Sequence, residues 1–144
     1  MSLSQSTIKR VSKLVALIEG EGLTGVKVCG SLRRGIDSTH DIDIMAIGDL
    51  TLLGAKAGAK RVTFQYDGMN VDVYAYEPEY YGAMALHLTG SAGHNIGFRI
   101  LASKIGCKLN QYGLWRSTKR IAGRTEESIY LALGRAYKQP EERG

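Results

Sequence analysis

Between Asp41 and Ile47 the chain reads DIDIMAI, and this run constrains the fold more than any other stretch. Its alternation fits a half-buried strand: Ile42, Ile44 and Ala46 face one way, Asp41, Asp43 and Met45 the other. Three further runs read as strands: Val26 to Cys29, ending at Gly30, then Arg61 to Tyr66, and Asn70 to Tyr76. The last two are joined by Asp67-Gly68-Met69, and Asp-Gly takes the positive φ that a hairpin turn needs. On the second strand of that hairpin Asp72, Tyr74 and Tyr76 share a face.

Helical signals surround these strands. Ile8, Val11, Leu14, Val15 and Ile18 recur at helical spacing, with a stop expected at Gly20 or Gly22. Glu79 to Leu88 follows Pro78 and breaks at Thr89-Gly90. Ser91 can cap a helix running to about Ile105, closed by Gly106. Leu109 to Trp115 reads as a short hairpin turning near Tyr112-Gly113, and Thr125 caps a last helix with Glu126 and Glu127 in its first turn. The expected fold class is α+β: a small mixed sheet flanked by helices, then a mostly helical part with a short hairpin, joined near residues 84 to 92.

Composition narrows the possibilities. The 144 residues suffice for one compact unit, and 44% hydrophobic, 23% charged and two Pro describe an ordinary soluble chain. No apolar run approaches the ~18 residues of a membrane span, and the N-terminus lacks the unbroken apolar core of a signal peptide. Two cysteines, Cys29 and Cys107, are too few for a disulfide framework or a zinc site, so a reducing compartment is expected, with no targeting signal to say which. Charge is uneven. Residues 1 to 84 hold nine Lys and Arg against ten Asp and Glu, whereas residues 85 to 144 hold ten against four. Either that second part meets a polyanion or it is a solvated basic face.

The chemistry concentrates at Asp41, Asp43 and Asp72. Period two aims Asp41 and Asp43 at one side of a sheet; if the strand of Asp72 lies alongside in matching register, three carboxylates converge. Their repulsion calls for a cation, and hard oxygen ligands with open positions suit Mg²⁺. Taken alone, the pair fits the solvent face of an amphipathic strand equally well. Gly30-Ser31-Leu32-Arg33-Arg34-Gly35, directly after a strand, adds to the case: Gly30 permits close approach, while the Ser31 hydroxyl and Arg34 suit a phosphate. His94 reads as a solvent-facing helical residue, and Tyr80, Tyr81 and Trp115 as packing residues.

Gly30-Ser31-x-Arg33-Arg34-Gly35, Asp41-x-Asp43 and Asp72 together resemble the nucleotidyltransferase signature of the family X DNA polymerases, the group of DNA polymerase beta. The resemblance extends through Thr89-Gly90-Ser91 with Asn95 and Arg99, through Leu109-Asn110-Gln111-Tyr112-Gly113-Leu114, and into Thr125 to Tyr130 and Pro140 to Arg143. It implies a nucleotidyltransferase palm over residues 1–84 and a nucleotide-selecting, DNA-contacting subdomain over 85–144. It implies two Mg²⁺ ions, or Mn²⁺, on Asp41, Asp43 and Asp72. A nucleotide site would comprise Gly30, Ser31, Arg34, Thr39, His87, Leu88, Gly90 and Asn95. Arg99 would contact DNA, and Arg116, Lys119, Arg120 and Arg124 are the cations expected to bind its backbone. The implied partners are deoxynucleoside triphosphates and primer-template or gapped DNA, with no membrane and a monomeric chain.

The implied activity is templated addition to a primer 3′ end, filling short gaps in repair. Only about 29 residues precede Gly30, so the expected plan is that of the minimal viral members. Departures from the family pattern are His87-Leu88 where an aromatic pair is usual, Gln111 for Glu, Asn70 for a basic residue, and Ala92 at an often acidic position. The first of these implies weakened exclusion of ribonucleotides. Terminal, untemplated transfer is the near alternative. A catalytically silent DNA-binding module and a transferase acting on a protein or small molecule are the distant ones.

Overall fold

The computed structural model describes residues 3–144; Met1 and Ser2, where the expected palm segment starts, lie outside them. The chain divides into two compact units, one ending at Tyr76 and the other running Glu77–Gly144. Among the described residues no helix is long and apolar enough to cross a membrane.

The first unit contains α1 (Gln5–Gly20), β1 (Thr24–Val28), a four-residue α2 (Gly30–Arg33), β2 (Asp41–Ile47), β3 (Arg61–Tyr66) and β4 (Met69–Ala75), with a 3-10 turn at Leu50–Leu53. Ser4 caps α1 by accepting the Thr7 N–H at 3.1 Å. The sheet runs β1-β2-β4-β3 and is mixed as expected: β2 and β4 are parallel, the outer pairs antiparallel. Asp67 and Gly68 take φ of 50° and 75°, so the turn between Tyr66 and Met69 is the tight one that Asp-Gly favours. The apolar rows Ile42, Ile44, Ala46 of β2 and Met69, Val71, Val73 of β4 form one core with Leu14 and Ile18 of α1. Each large side chain so buried contributes about 1.5–3 kcal/mol. The apolar row thereby anchors the sheet and leaves the carboxylate row on its opposite face.

The second unit contains α3 (Tyr81–Thr89) after a 3-10 turn at Pro78–Tyr80, then α4 (Ala92–Lys104), β5 (Lys108–Asn110), β6 (Gly113–Arg116), β7 (Lys119–Ala122) and α5 (Glu126–Ala132). Ser91 caps α4 through the His94 N–H (3.3 Å), and Thr125 caps α5 through that of Ser128 (3.1 Å). Two expectations are corrected here. The hairpin is a three-stranded antiparallel sheet, β5-β6-β7; β7 reads Lys-Arg-Ile-Ala, too short and too polar to show a period, and its entry turn is made by Ser117 (φ 55°) rather than glycine. The division also falls earlier than residues 84 to 92, because α3 packs on α5. The N–H groups of Gly82 and Ala83 donate to the carbonyls of Arg124 and Gly123, at 3.1 and 2.9 Å, and Gly82 lies against the Thr125–Glu126 backbone with no room for a Cβ.

Candidate functional site

The strand register assembles the first constellation. Across the parallel pair Asp41 lies opposite Asn70 and Asp43 opposite Asp72; across the hairpin Gln65 lies opposite Asn70, Thr63 opposite Asp72 and Arg61 opposite Tyr74. Directly opposed residues share a face, so three rows run across three strands: Asp41–Asn70–Gln65, Asp43–Asp72–Thr63 and Met45–Tyr74–Arg61. Asp41 and Asp72 are braced along their rows. Asn70 Nδ2 donates to Asp41 Oδ1 at 3.2 Å while its own oxygen accepts from Gln65, and Thr63 Oγ1 donates to Asp72 Oδ1 at 2.5 Å. Asp43, half-buried, is raised above the usual carboxylate range by burial, then by the charges of Asp72 and Asp41; Arg61 opposes this in part. The Arg61 guanidinium lies 5.8 Å over the Tyr74 ring. Among the described residues no three His, Cys, Asp or Glu side chains form a group that could hold a metal ion by itself.

The sequence reading singled out none of Thr63, Gln65 or Arg61. The signal was present: counting outward from the Asp67-Gly68 turn pairs Thr63 with Asp72, and Arg61-x-Thr63-x-Gln65 is a polar row of period two.

Beside β2, the Cys29 N–H donates to the Asp43 carbonyl at 2.7 Å. Gly30 adopts φ of +65°, and a Cβ there would stand 3.0 Å from Asp43 Oδ2, so the loop approaches the carboxylate because position 30 is glycine. Ser31 and Arg34 follow in and after α2, both partly buried. Thr39 belongs to a segment braced from α1. Arg10 Nη1 donates to the Thr39 hydroxyl (3.1 Å), and the same guanidinium grips the hairpin turn through Asp67 Oδ2 (2.9 Å) and the Asp67 carbonyl (2.6 Å). Thr7 Oγ1 donates to Asp37 Oδ1 at 2.5 Å, which holds that carboxyl below its usual range. Ser4, Thr7 and Arg10 fall three apart, one polar line on α1 that sequence reasoning passed over.

In the second unit a small cleft is lined by Leu86, His87, Asn95, Arg99 and Asn110 together with Ala83 and Leu109. His87 and Arg99 are exposed; partial desolvation, then the neighbouring Arg99 charge, depresses the His87 pKa. Leu88, expected beside His87 in the nucleotide site, is buried and does not line the cleft. Gly90 ends α3 with φ of 71°, followed by a cis bond to Ser91. Asn95 is 8% exposed, and its Nδ2 donates to the carbonyls of Leu86 (3.2 Å) and His87 (3.0 Å). His94, read as solvent-facing, is corrected: both ring nitrogens are engaged, with Tyr130 Oη at 2.8 Å and Asn95 Oδ1 at 3.0 Å.

The four expected phosphate-binding cations separate. Arg116 and Lys119 flank the β6–β7 turn and are exposed, as is Arg124. Arg120 is different: Nε donates to the Tyr112 carbonyl at 2.8 Å, and the guanidinium lies 4.8 Å over the Trp115 ring and 5.7 Å over that of Tyr80. Aromatic stacking therefore holds it half-buried against the small sheet.

The family-model match falls within this second unit. Residues 84–144 match the family model of the DNA polymerase beta thumb. Over 73 residues the chain is 36% identical to DNA polymerase IV of Saccharomyces cerevisiae; that stretch is 51% of this chain and 12% of the yeast protein. Residues 84–144 are thus similar to a thumb of the DNA polymerase beta type, and the chain spans about an eighth of the length of the yeast polymerase it matches.

Proposed function

We propose that this chain adds deoxynucleotides to the 3′ end of a DNA primer, with loss of pyrophosphate, in the filling of short gaps during repair. The single observation that carries the reading is the register that sets Asp43 beside Asp72 with Asp41 two residues away on the same face. Three carboxylates on one face, one of them raised by burial and its neighbours, form a donor set for a hard cation. Mg²⁺ takes one or two protein carboxylates and completes its shell with water and substrate phosphates, so a protein-only cage is not required. Asp41 and Asp43 would hold both of two ions and Asp72 one; when bound, such a pair neutralises charge at the attacking and leaving oxygens of an in-line displacement.

The protein groups supply orientation. Thr63 holds one oxygen of Asp72, leaving the other to face the primer hydroxyl whose proton must leave. Gly30, Ser31, Arg34 and Thr39 are the groups for the triphosphate, and Arg10 keeps Thr39 in place. In the second unit His87, Gly90, Asn95 and Arg99 are the groups for the nucleotide and template.

Primer extension on gapped, recessed and single-stranded DNA tests the reading. Wild type is expected to extend the gapped substrate best, and Asp72→Asn to abolish addition while duplex binding persists. Untemplated extension of single strands would move the activity to terminal transfer, and substantial extension by Asp72→Asn would remove Asp72 from the chemistry.

A further inference from the structure

We infer that Tyr130 and His94 form a hydrogen-bonded relay that fixes the side-chain amide of Asn95, which makes His94 a positioning residue for nucleotide selection. The inference rests on the nucleotide-site reading of Asn95 given above, but its geometry stands independently of it.

The direction of every hydrogen bond in the relay follows from chemistry. The carbonyls of Leu86 and His87 can only accept, so the Asn95 atom 3.2 and 3.0 Å from them is the NH₂ group. The remaining Asn95 atom is then the oxygen, which can only accept, so His94 Nδ1, 3.0 Å away, must carry the proton. A neutral imidazole protonated at Nδ1 offers Nε2 as acceptor, and Tyr130 Oη, 2.8 Å distant, donates to it. The chain of donors thus runs from Tyr130 to His94 to Asn95 to the last turn of α3.

The far end of the relay is anchored. Arg143, among the largest fully buried side chains, pairs with Glu126 (Nη1 to Oε2, 2.8 Å), and its guanidinium lies 5.4 Å over the Tyr130 ring and 5.3 Å over that of Tyr137. Its carbonyl accepts the Ser91 N–H at 3.1 Å, which ties the same anchor to the cap of α4. Phe98 packs against the imidazole at a centroid distance of 4.4 Å, tilted by 34°, and limits its rotation. The net effect of the surroundings favours the neutral imidazole. Burial lowers the His94 pKa most, and the positive charges of Arg143 and Lys138 add to it, while the Asn95 hydrogen bond and Glu126 oppose. Burial raises the Tyr130 phenol to about 12, so it keeps its proton.

Two measurements test the relay, the first without any reaction. Two-bond ¹H–¹⁵N correlation spectra of the full chain at pH 7 are expected to show His94 as the Nδ1–H tautomer, titrating below the usual histidine range. The Nε2–H tautomer, or a ring that titrates as a solvated histidine, overturns the inference. The second is steady-state nucleotide insertion by His94→Phe, which keeps an aromatic ring against Phe98, and by Tyr130→Phe, which removes only the hydroxyl. Both should raise the nucleotide KM roughly tenfold with kcat little changed. Equal losses in kcat with KM unmoved, or no change in either variant while the fold is intact, also overturn it. A wild type that adds no nucleotide at all defeats the polymerase reading and leaves the tautomer to decide the relay.

Discussion

Burial and two neighbouring carboxylates, Asp72 and Asp41, push Asp43 toward holding a proton, and Arg61 offsets part of that cost. A residue in this position destabilises the ligand-free fold when charged. Asp43→Asn keeps the shape and removes the repulsion. Thermal unfolding at neutral pH without metal should therefore show a variant more stable than wild type, by up to about 1 kcal/mol after solvent screening, and inactive in primer extension. A variant of lower stability would show that the charged Asp43 is held by favourable contacts instead. Thr63, Gln65 and Asn70 hold the other two carboxylates by hydrogen bonds along the rows of the sheet, and Asn70 stands where the family pattern has a basic residue. A cation that acts on Asp72 comes instead from the adjacent strand, as Arg61.

At the scale of elements, the contact between α3 and α5 is set by one residue. Gly82 brings the α3 backbone against Thr125 and Glu126, and α3 donates its first N–H groups to the segment before α5. Gly82→Ala drives a methyl group into backbone, which cannot yield as a side chain can, so the cost belongs at or beyond the upper end of the about 1–3 kcal/mol seen for overpacking. Gly93→Ala on α4 is the matched control: nothing lies within 4 Å of its Cβ, and replacing a helical glycine there should be neutral or stabilising by up to about 1 kcal/mol. Denaturant midpoints of the two variants measure this. Equal midpoints would mean that α3 shifts along α5 at no cost. The same packing explains why the chain divides after Tyr76. Composition changes gradually around residues 84 to 92, but a helix belongs to the unit whose surface it covers.

Across the whole molecule, the basic excess after residue 85 is no uniform surface. Arg143 is buried on Glu126 and Arg120 is half-buried, stacked on Trp115 and bonded to the Tyr112 carbonyl, whereas Arg116, Lys119 and Arg124 are exposed. If the proposed DNA binding uses the exposed set, replacing those three by Ala should flatten the logarithmic salt dependence of affinity, by roughly 0.9 for each phosphate that is no longer neutralised. Arg120→Ala should leave the slope unchanged and lower the stability of the second unit. A slope unaltered by the triple variant would make the cluster a solvated face only.

Periodicity, caps and turns are local properties, and they were legible. DIDIMAI is β2 with its expected bounds, Asp67-Gly68 makes the tight turn, and Ser91 and Thr125 cap their helices. The likeness to a DNA polymerase beta thumb over residues 84–144 was legible too, because its motifs keep their order along the chain. Local patterns could not say which strands lie side by side. The meeting of Asp43 with Asp72 depends on β2 pairing in parallel with β4, an arrangement between segments with β3 intervening in sequence. Nor could they say where a polar side chain is spent. His94 reads as a solvent-facing residue, Asn95 as a nucleotide contact and Arg120 as a phosphate contact. Each has a partner on another element or turn at least eight residues away, and in a low-dielectric interior a polar group must be paired by whichever neighbours the packing supplies.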